Sequence, residues 1–253
     1  MIVEPVESEL GPVRVWEEPK SSEEYVIGVD VAEGKASKDI HDPSGNRRDW
    51  SVATVLRVSD GAMVCQYKSQ VDSATLTTDL YMLGLWYNEA MIAVETNSMG
   101  IGVVHMLIQG GYKNIYQPKV GTMVGQMAGT PDYLGIRSMG WVTTKATKPI
   151  LVAAIHEALA NGNRIPSMDL IRELKTIEFD QNGRIGAPQG GHDDQMMSYG
   201  IALVVRGDYL GGRASKQDEV SRLPAEDAKI WRLAQLAEER IIKQMTERIE
   251  DEF

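Results

Sequence analysis

Three acidic positions, far apart along a chain of 253 residues, each stand where an apolar run begins or ends. Asp30 closes the run YVIGVD, Glu95 closes MIAVE at residues 91–95, and Asp193 and Asp194 close GGHDD at 190–194, just ahead of a helical pattern. A short apolar run bounded by turn residues reads as a buried strand. An ionised carboxylate at its end is costly unless a metal ion, or a nearby Lys or Arg, offsets it. Acids brought to one place suit the hydrolysis of a phosphodiester, which must activate a water and stabilise a leaving oxygen. Two divalent cations about 3.5–4 Å apart do both. Mg²⁺ and Mn²⁺ take oxygen ligands, so such a site is built from Asp and Glu rather than Cys and His. In that scheme Asp30 is the central, bridging acid, Glu95 holds one ion and Asp194 the other.

The elements that must position these acids follow in chain order. Residues 1–24 hold Pro5, Pro12, Pro19 and seven Glu, and read as an acidic arm or linker with at most an edge strand at 13–16. Strands are predicted at 25–31, 50–58 and 62–69. A polar loop over 32–49, tipped by Arg47 and Arg48, separates the first two, and Ser59-Asp60-Gly61 turns between the last two. This makes an antiparallel meander. Leu76, Leu80, Leu83 and Tyr87 recur at helical spacing, giving a helix over 73–88 with Ser73 as its cap. A strand at 91–95, a helix at 101–109 closed by Gly110-Gly111, and a short strand at 114–117 come next.

Residues 118–140 are glycine-rich and lack a period, which is long for a plain loop and hints at a functional segment. Helices are predicted at 148–161, capped by Thr147, and at 167–176. Gln181-Asn182-Gly183 marks a hairpin over 177–187. GGHDD opens a helix to about residue 205, residues 211–223 read as a linker, and 224–253 as an amphipathic helix. The division expected is an arm at 1–24, one α/β domain at 25–210, and a linker with a C-terminal helix at 211–253.

Composition narrows the setting. A formal net charge of −10 argues against coating nucleic acid by bulk charge. The arm carries two Lys or Arg against seven Asp or Glu, so the body is much nearer balance and leaves room for a local basic strip. No apolar N-terminal signal segment and no membrane span are expected. The single cysteine, Cys65, cannot form an internal disulfide and reads as a small buried hydrophobe. A cytoplasmic, non-secreted setting follows.

With the fourth strand beside the first in a mixed sheet, Asp30 and Glu95 become neighbours at one sheet end. A helix laid across the sheet brings its first turn to the same edge. That is the ribonuclease H-like arrangement: a mixed sheet of five or more strands, an antiparallel meander plus parallel strands, flanked by helices. GVDVAEG…DWSV, AVETNSMG, GWVTTKATKP and GGHDDQMMSYGIA, in this order, resemble the C-terminal nuclease domain of phage large terminase subunits over about residues 12–210. The resemblance implies a DNA endonuclease that cuts concatemeric double-stranded DNA with little sequence preference, in the host cytoplasm, using two ions of Mg²⁺ or Mn²⁺. By position, Asp30, Glu95 and Asp194 match its metal-binding acids. Asp193 matches a neighbouring acid that is a ligand or supports one, and the 177–187 hairpin matches an element controlling DNA access. It also implies the terminase ATPase domain, the portal and the small terminase subunit as partners. No GxxxxGK[ST] loop occurs, so the chain corresponds to the nuclease part alone.

Each feature also has a plainer reading. Asp193-Asp194 can simply favour a helix N-terminus. His192 is a helix cap, a general base or a third-metal ligand, and Asn97 is a turn residue, an orienting partner of Glu95 or a phosphate contact. Lys145 and Lys148, like Arg47 and Arg48, are either phosphate contacts or solvated charges. Rival functions are a junction-resolving nuclease of the same fold, an ATP-binding module that shares a Gly-flanked first-strand Asp, and a non-catalytic docking domain for DNA or portal.

Overall fold

The protein is described here by a computed structural model, over residues 11–32, 50–96, 99–118, 139–179, 185–188 and 191–222, with side chains to residue 212. Arg47, Arg48, Asn97, most of the glycine-rich 118–140 stretch and the 224–253 helix lie outside the described residues. The chain falls into two compact units, Met1–Gly207 and Asp208–Phe253.

The first unit is built on a mixed sheet. Its strands are β1 (Val13–Val15), β2 (Tyr25–Asp30), β3 (Ser51–Arg57), β4 (Met63–Ser69) and β5 (Met91–Val94), in the spatial order β1-β4-β3-β2-β5. β2, β3 and β4 form the expected antiparallel meander, and β5 lies parallel to β2 with Val29 opposite Val94. A parallel pair needs a crossover; here α1 (Ser73–Trp86) supplies it. α2 (Gly100–Gln109) follows β5. This is the ribonuclease H-like sheet expected from sequence.

Alternation along β2 sorts its side chains onto two faces. Tyr25, Ile27 and Val29 join Leu76, Leu80, Val103 and Leu107 in the core beneath α1 and α2. The opposite face carries Val26, Gly28 and Asp30. A Cβ on Gly28 would lie 2.2 Å from the Ser198 carbonyl oxygen and 2.4 Å from the Ala202 nitrogen. Glycine is therefore required for the backbone of α5 (Asp194–Arg222) to lie directly on the strand. Opposite Gly28 in the register stands Thr54, whose hydroxyl is 2.8 Å from that of Ser198.

Four local expectations are corrected. The cap of α1 is Asp72, not Ser73: its carboxylate accepts from the Ala74 and Thr75 N–H groups at 2.9 and 3.0 Å, a role open to either residue type. Residues 114–117 do not form a strand; Ile115 makes one parallel bridge to Ile92. Glu95 lies just past β5, bridged to Trp141. The helix opened by GGHDD does not stop near 205 but runs to Arg222, through the stretch read as a linker. Gly211, Gly212 and Ser215 lower helix propensity by about 1 kcal/mol or less each, too little to stop a helix already nucleated upstream. Residues 11–24 are held against the sheet by β1 and by Glu17, which pairs with Arg57 at 2.5 Å.

α3 (Lys148–Ala160) and α4 (Met168–Leu174) precede a small hairpin, β6 (Glu178–Phe179) with β7 (Ile185–Gly186). Thr147 precedes α3 as expected, but its hydroxyl serves the turn before it, donating to the Val142 carbonyl at 2.7 Å. Among the described residues no helix is long and apolar enough to cross a membrane.

Candidate active site

The four sequence-selected acids meet at one end of the sheet. Asp30 is the last residue of β2, and Glu95 continues β5 beside it, its N–H donating to the Val29 carbonyl at 2.8 Å. Val94 faces the α1/α2 core, so alternation turns Glu95 to the α5 face, the face of Asp30. α5 supplies the rest. From Ser198 back to Asp194 is four helical residues, about 6 Å. From Gly28 to Asp30 is two strand residues, about 6.6 Å. The close packing at Gly28 therefore carries the first turn of α5 to the level of Asp30. There the Trp50 N–H, just before β3, donates to Asp194 Oδ2 at 3.3 Å.

The electrostatics record the convergence. Burial pushes the Asp30 carboxyl well above the ordinary carboxylate range. A hydrogen bond shared with Glu95, and the charges of Glu95, Asp194 and Asp193, push the same way. Asp193 is held by Lys148, whose Nζ donates to Oδ2 at 2.7 Å. Lys148 is thus engaged with the acid cluster, while Lys145 lies exposed in the turn before α3. His192 Nδ1 stands 3.5 Å from Asp194 Oδ2, partnering an acid rather than only the helix end. The hairpin reaches the cluster too: a Cβ on Gly186 would lie 3.3 Å from Asp193 Oδ2 and 3.6 Å from Lys148 Nζ.

Among the described residues, no three His, Cys, Asp or Glu side chains already surround one point at ligating distance. The Lys148 ammonium on Asp193 offsets part of the negative charge that divalent ions would offset. The donor set, all carboxylate oxygen with His192 at its edge, fits hard cations such as Mg²⁺ and Mn²⁺.

Sequence reasoning missed one acid here. Glu173, buried in α4, accepts from the Met196 N–H at 2.7 Å and from the Gln195 side-chain amide at 3.0 Å. Burial pushes its carboxyl up to about 7, with Asp194 adding to the rise; the two hydrogen bonds oppose it. The signal lay in the surroundings: Leu170, Ile171 and Leu174 mark the apolar side of α4, and an acid between them had to find donors.

The fold and the acid cluster together define a ribonuclease H-like architecture with a carboxylate centre at the sheet end. Comparison with solved structures narrows this further. The chain shares its fold with the large terminase nuclease of thermophilic phage G20c (TM-score 0.55, 19% identity, covering 78% of this chain and 90% of that one). The magnesium-bound form of that nuclease matches at TM-score 0.58 and 19% identity, over 78% of this chain and 89% of that one. The large terminase nuclease domain of Thermus phage P74-26 matches at 0.54 and 20%, over 77% and 86%. No family model matches the sequence, and no curated protein sequence does.

Proposed function

We propose that this chain is the DNA-cutting nuclease of a phage genome-packaging terminase, a metal-dependent endonuclease acting on concatemeric double-stranded DNA with little sequence preference. The observation that carries the reading is the meeting of Asp30, Glu95 and Asp194 at one sheet end, in a fold shared with phage terminase nucleases, one of them solved with magnesium. Asp30, Glu95 and Asp194 are the residues that would hold two divalent ions, Mg²⁺ or Mn²⁺, with Asp193 at their side. When bound, such ions supply Lewis-acid activation of the attacking water and stabilisation of the leaving oxygen.

The chain's own residues do the rest. The Trp50 N–H donates to Asp194 Oδ2 and steadies that carboxylate. Lys148 steadies Asp193 and places a positive charge beside the acids, where a phosphate must approach. His192 lies near enough to Asp194 to orient it or to relay a proton. Lys145, exposed in the turn before α3, is a proposed phosphate contact, and the same role for Arg47 and Arg48 and an orienting role for Asn97 stay expectations from sequence. The products are 5′-phosphate and 3′-hydroxyl ends. The ATPase domain, the portal and the small terminase subunit are the partners this role requires, in the cytoplasm of an infected host.

The test is plasmid nicking with Mn²⁺, with chelator, and with Asp30→Asn. Nicking that needs the metal and disappears in the variant supports the reading. Nicking that survives either treatment contradicts it.

A further inference from the structure

Helix α5 begins with an unusual division of labour. Met197 N–H donates to the Asp193 carbonyl at 2.8 Å, which makes Asp193 the cap residue of the helix and Met196 its third residue. A cap Asp ordinarily turns its carboxylate back onto the N–H of the second or third residue. Here Asp193 Oδ2 faces Lys148 instead, and the Met196 N–H is taken at 2.7 Å by Glu173 from α4. The second oxygen of Glu173 receives the Gln195 side chain at 3.0 Å. Glu173 is 8% exposed and Gln195 3%, so both bonds are shielded from water. α4 itself is anchored by Ser167, buried against Gln66.

We propose that Glu173 is a positioning residue: it caps α5 from outside, freeing Asp193 and Asp194 to face the sheet end, and so sets the affinity of the acid centre for divalent cations. This rests on the metal-centre reading above. An ordinary cap would draw the Asp193 carboxylate back onto its own helix. A borrowed cap leaves it beside Lys148 and fixes the turn on which both acids ride.

The test compares the wild type with Glu173→Gln, Glu173→Asp and Glu173→Ala. Readouts are Mn²⁺ affinity by calorimetry, amide exchange at Met196, and melting temperature. Gln keeps an oxygen for the Met196 N–H. Its amide N–H can reach Gln195 Oε1, buried and without a partner among the described residues, once the Gln195 amide turns over. Glu173→Gln should therefore bind Mn²⁺ within about threefold of wild type. Asp, one methylene short, and Ala should weaken it by about 10-fold or more, the range seen for supports of metal ligands. They should also expose Met196 to faster exchange. Folded Asp or Ala variants with wild-type Mn²⁺ affinity overturn the inference; if Ala does not fold, Asp and Gln decide it. A wild type that binds no Mn²⁺ defeats the metal-centre reading instead. The cap is then judged by Met196 exchange alone, which must quicken in Glu173→Asp for the capping role to stand.

Discussion

Glu95 stands beside Asp30 at the ends of two parallel strands, its N–H donating to the Val29 carbonyl at 2.8 Å, although sixty-five residues separate the two acids in sequence. Burial, and the charges of Glu95, Asp194 and Asp193, push the Asp30 carboxyl well above the ordinary carboxylate range. In the absence of divalent cations the pair is a site of stored repulsion. Asp30→Asn should therefore raise the melting temperature of the chelated protein, by roughly 1–3 kcal/mol of stability. It should also abolish the stabilisation that Mn²⁺ gives the wild type. Melts with and without Mn²⁺ check both halves; a variant less stable than wild type in chelator contradicts the account.

The pH dependence has a definite sign. Glu173 is raised from 4.5 to about 7 in the folded chain, so its contribution is full below 4.5 and lost as pH rises through about 7. Asp30 is raised for the same first reason and adds to the same trend. Stability of the metal-free protein should fall across this window, by up to about 1.4 kcal/mol per pH unit for each acid titrating. Denaturant unfolding at a series of pH values tests this. Glu173→Gln should flatten the slope, and an unchanged slope in that variant would be the wrong result.

Gly186 brings the hairpin backbone against the Lys148–Asp193 pair. A single Cβ fits at ordinary contact distance from Lys148 and slightly closer to Asp193. The branches of valine do not. Gly186→Ala should cost only a few-fold in cutting rate. Gly186→Val should slow cutting by about 10-fold or more with little loss of stability, because the hairpin is a surface element while the ion pair supports the acids. Cleavage rates set beside melting temperatures separate the two.

Gly28 makes the opposite prediction. Its missing Cβ lets α5 lie on β2, and the neighbours are helix backbone, which cannot rotate away. Gly28→Ala should destabilise by about 1–3 kcal/mol and displace the first turn of α5. Mn²⁺ affinity should fall with stability. A variant as stable as wild type would show that the helix is seated elsewhere.

The sheet and two of its acids were legible because Asp30 and Glu95 each end an apolar run, and burial leaves that pattern in the sequence itself. YVIGVD and MIAVE could be little else than buried strands, and the meander followed from the Asp60-Gly61 turn. Glu173 was hidden because its role is set by a helix twenty residues further on; within α4 it looks like any polar residue of an amphipathic turn. Lys148 was visible as a charge within the TTKATKP motif, but its partner Asp193 lies 45 residues away and no spacing rule connects them. The extent of α5 was misjudged because Gly211-Gly212 and Ser215 resemble linker, whereas a helix seated along the sheet carries its winding beyond a locally poor stretch. The cap at Asp72 shows the finer limit: Asp and Ser are equally good caps, and sequence alone could not rank adjacent candidates.

The central claim is that Asp30, Glu95 and Asp194 hold divalent cations together. Crystals soaked in Mn²⁺ and measured at the manganese absorption edge test this most directly. The account predicts anomalous peaks between these three side chains, with Asp30 touching the metal. Manganese bound elsewhere, with none touching Asp30, in a chain that nicks DNA, would contradict it.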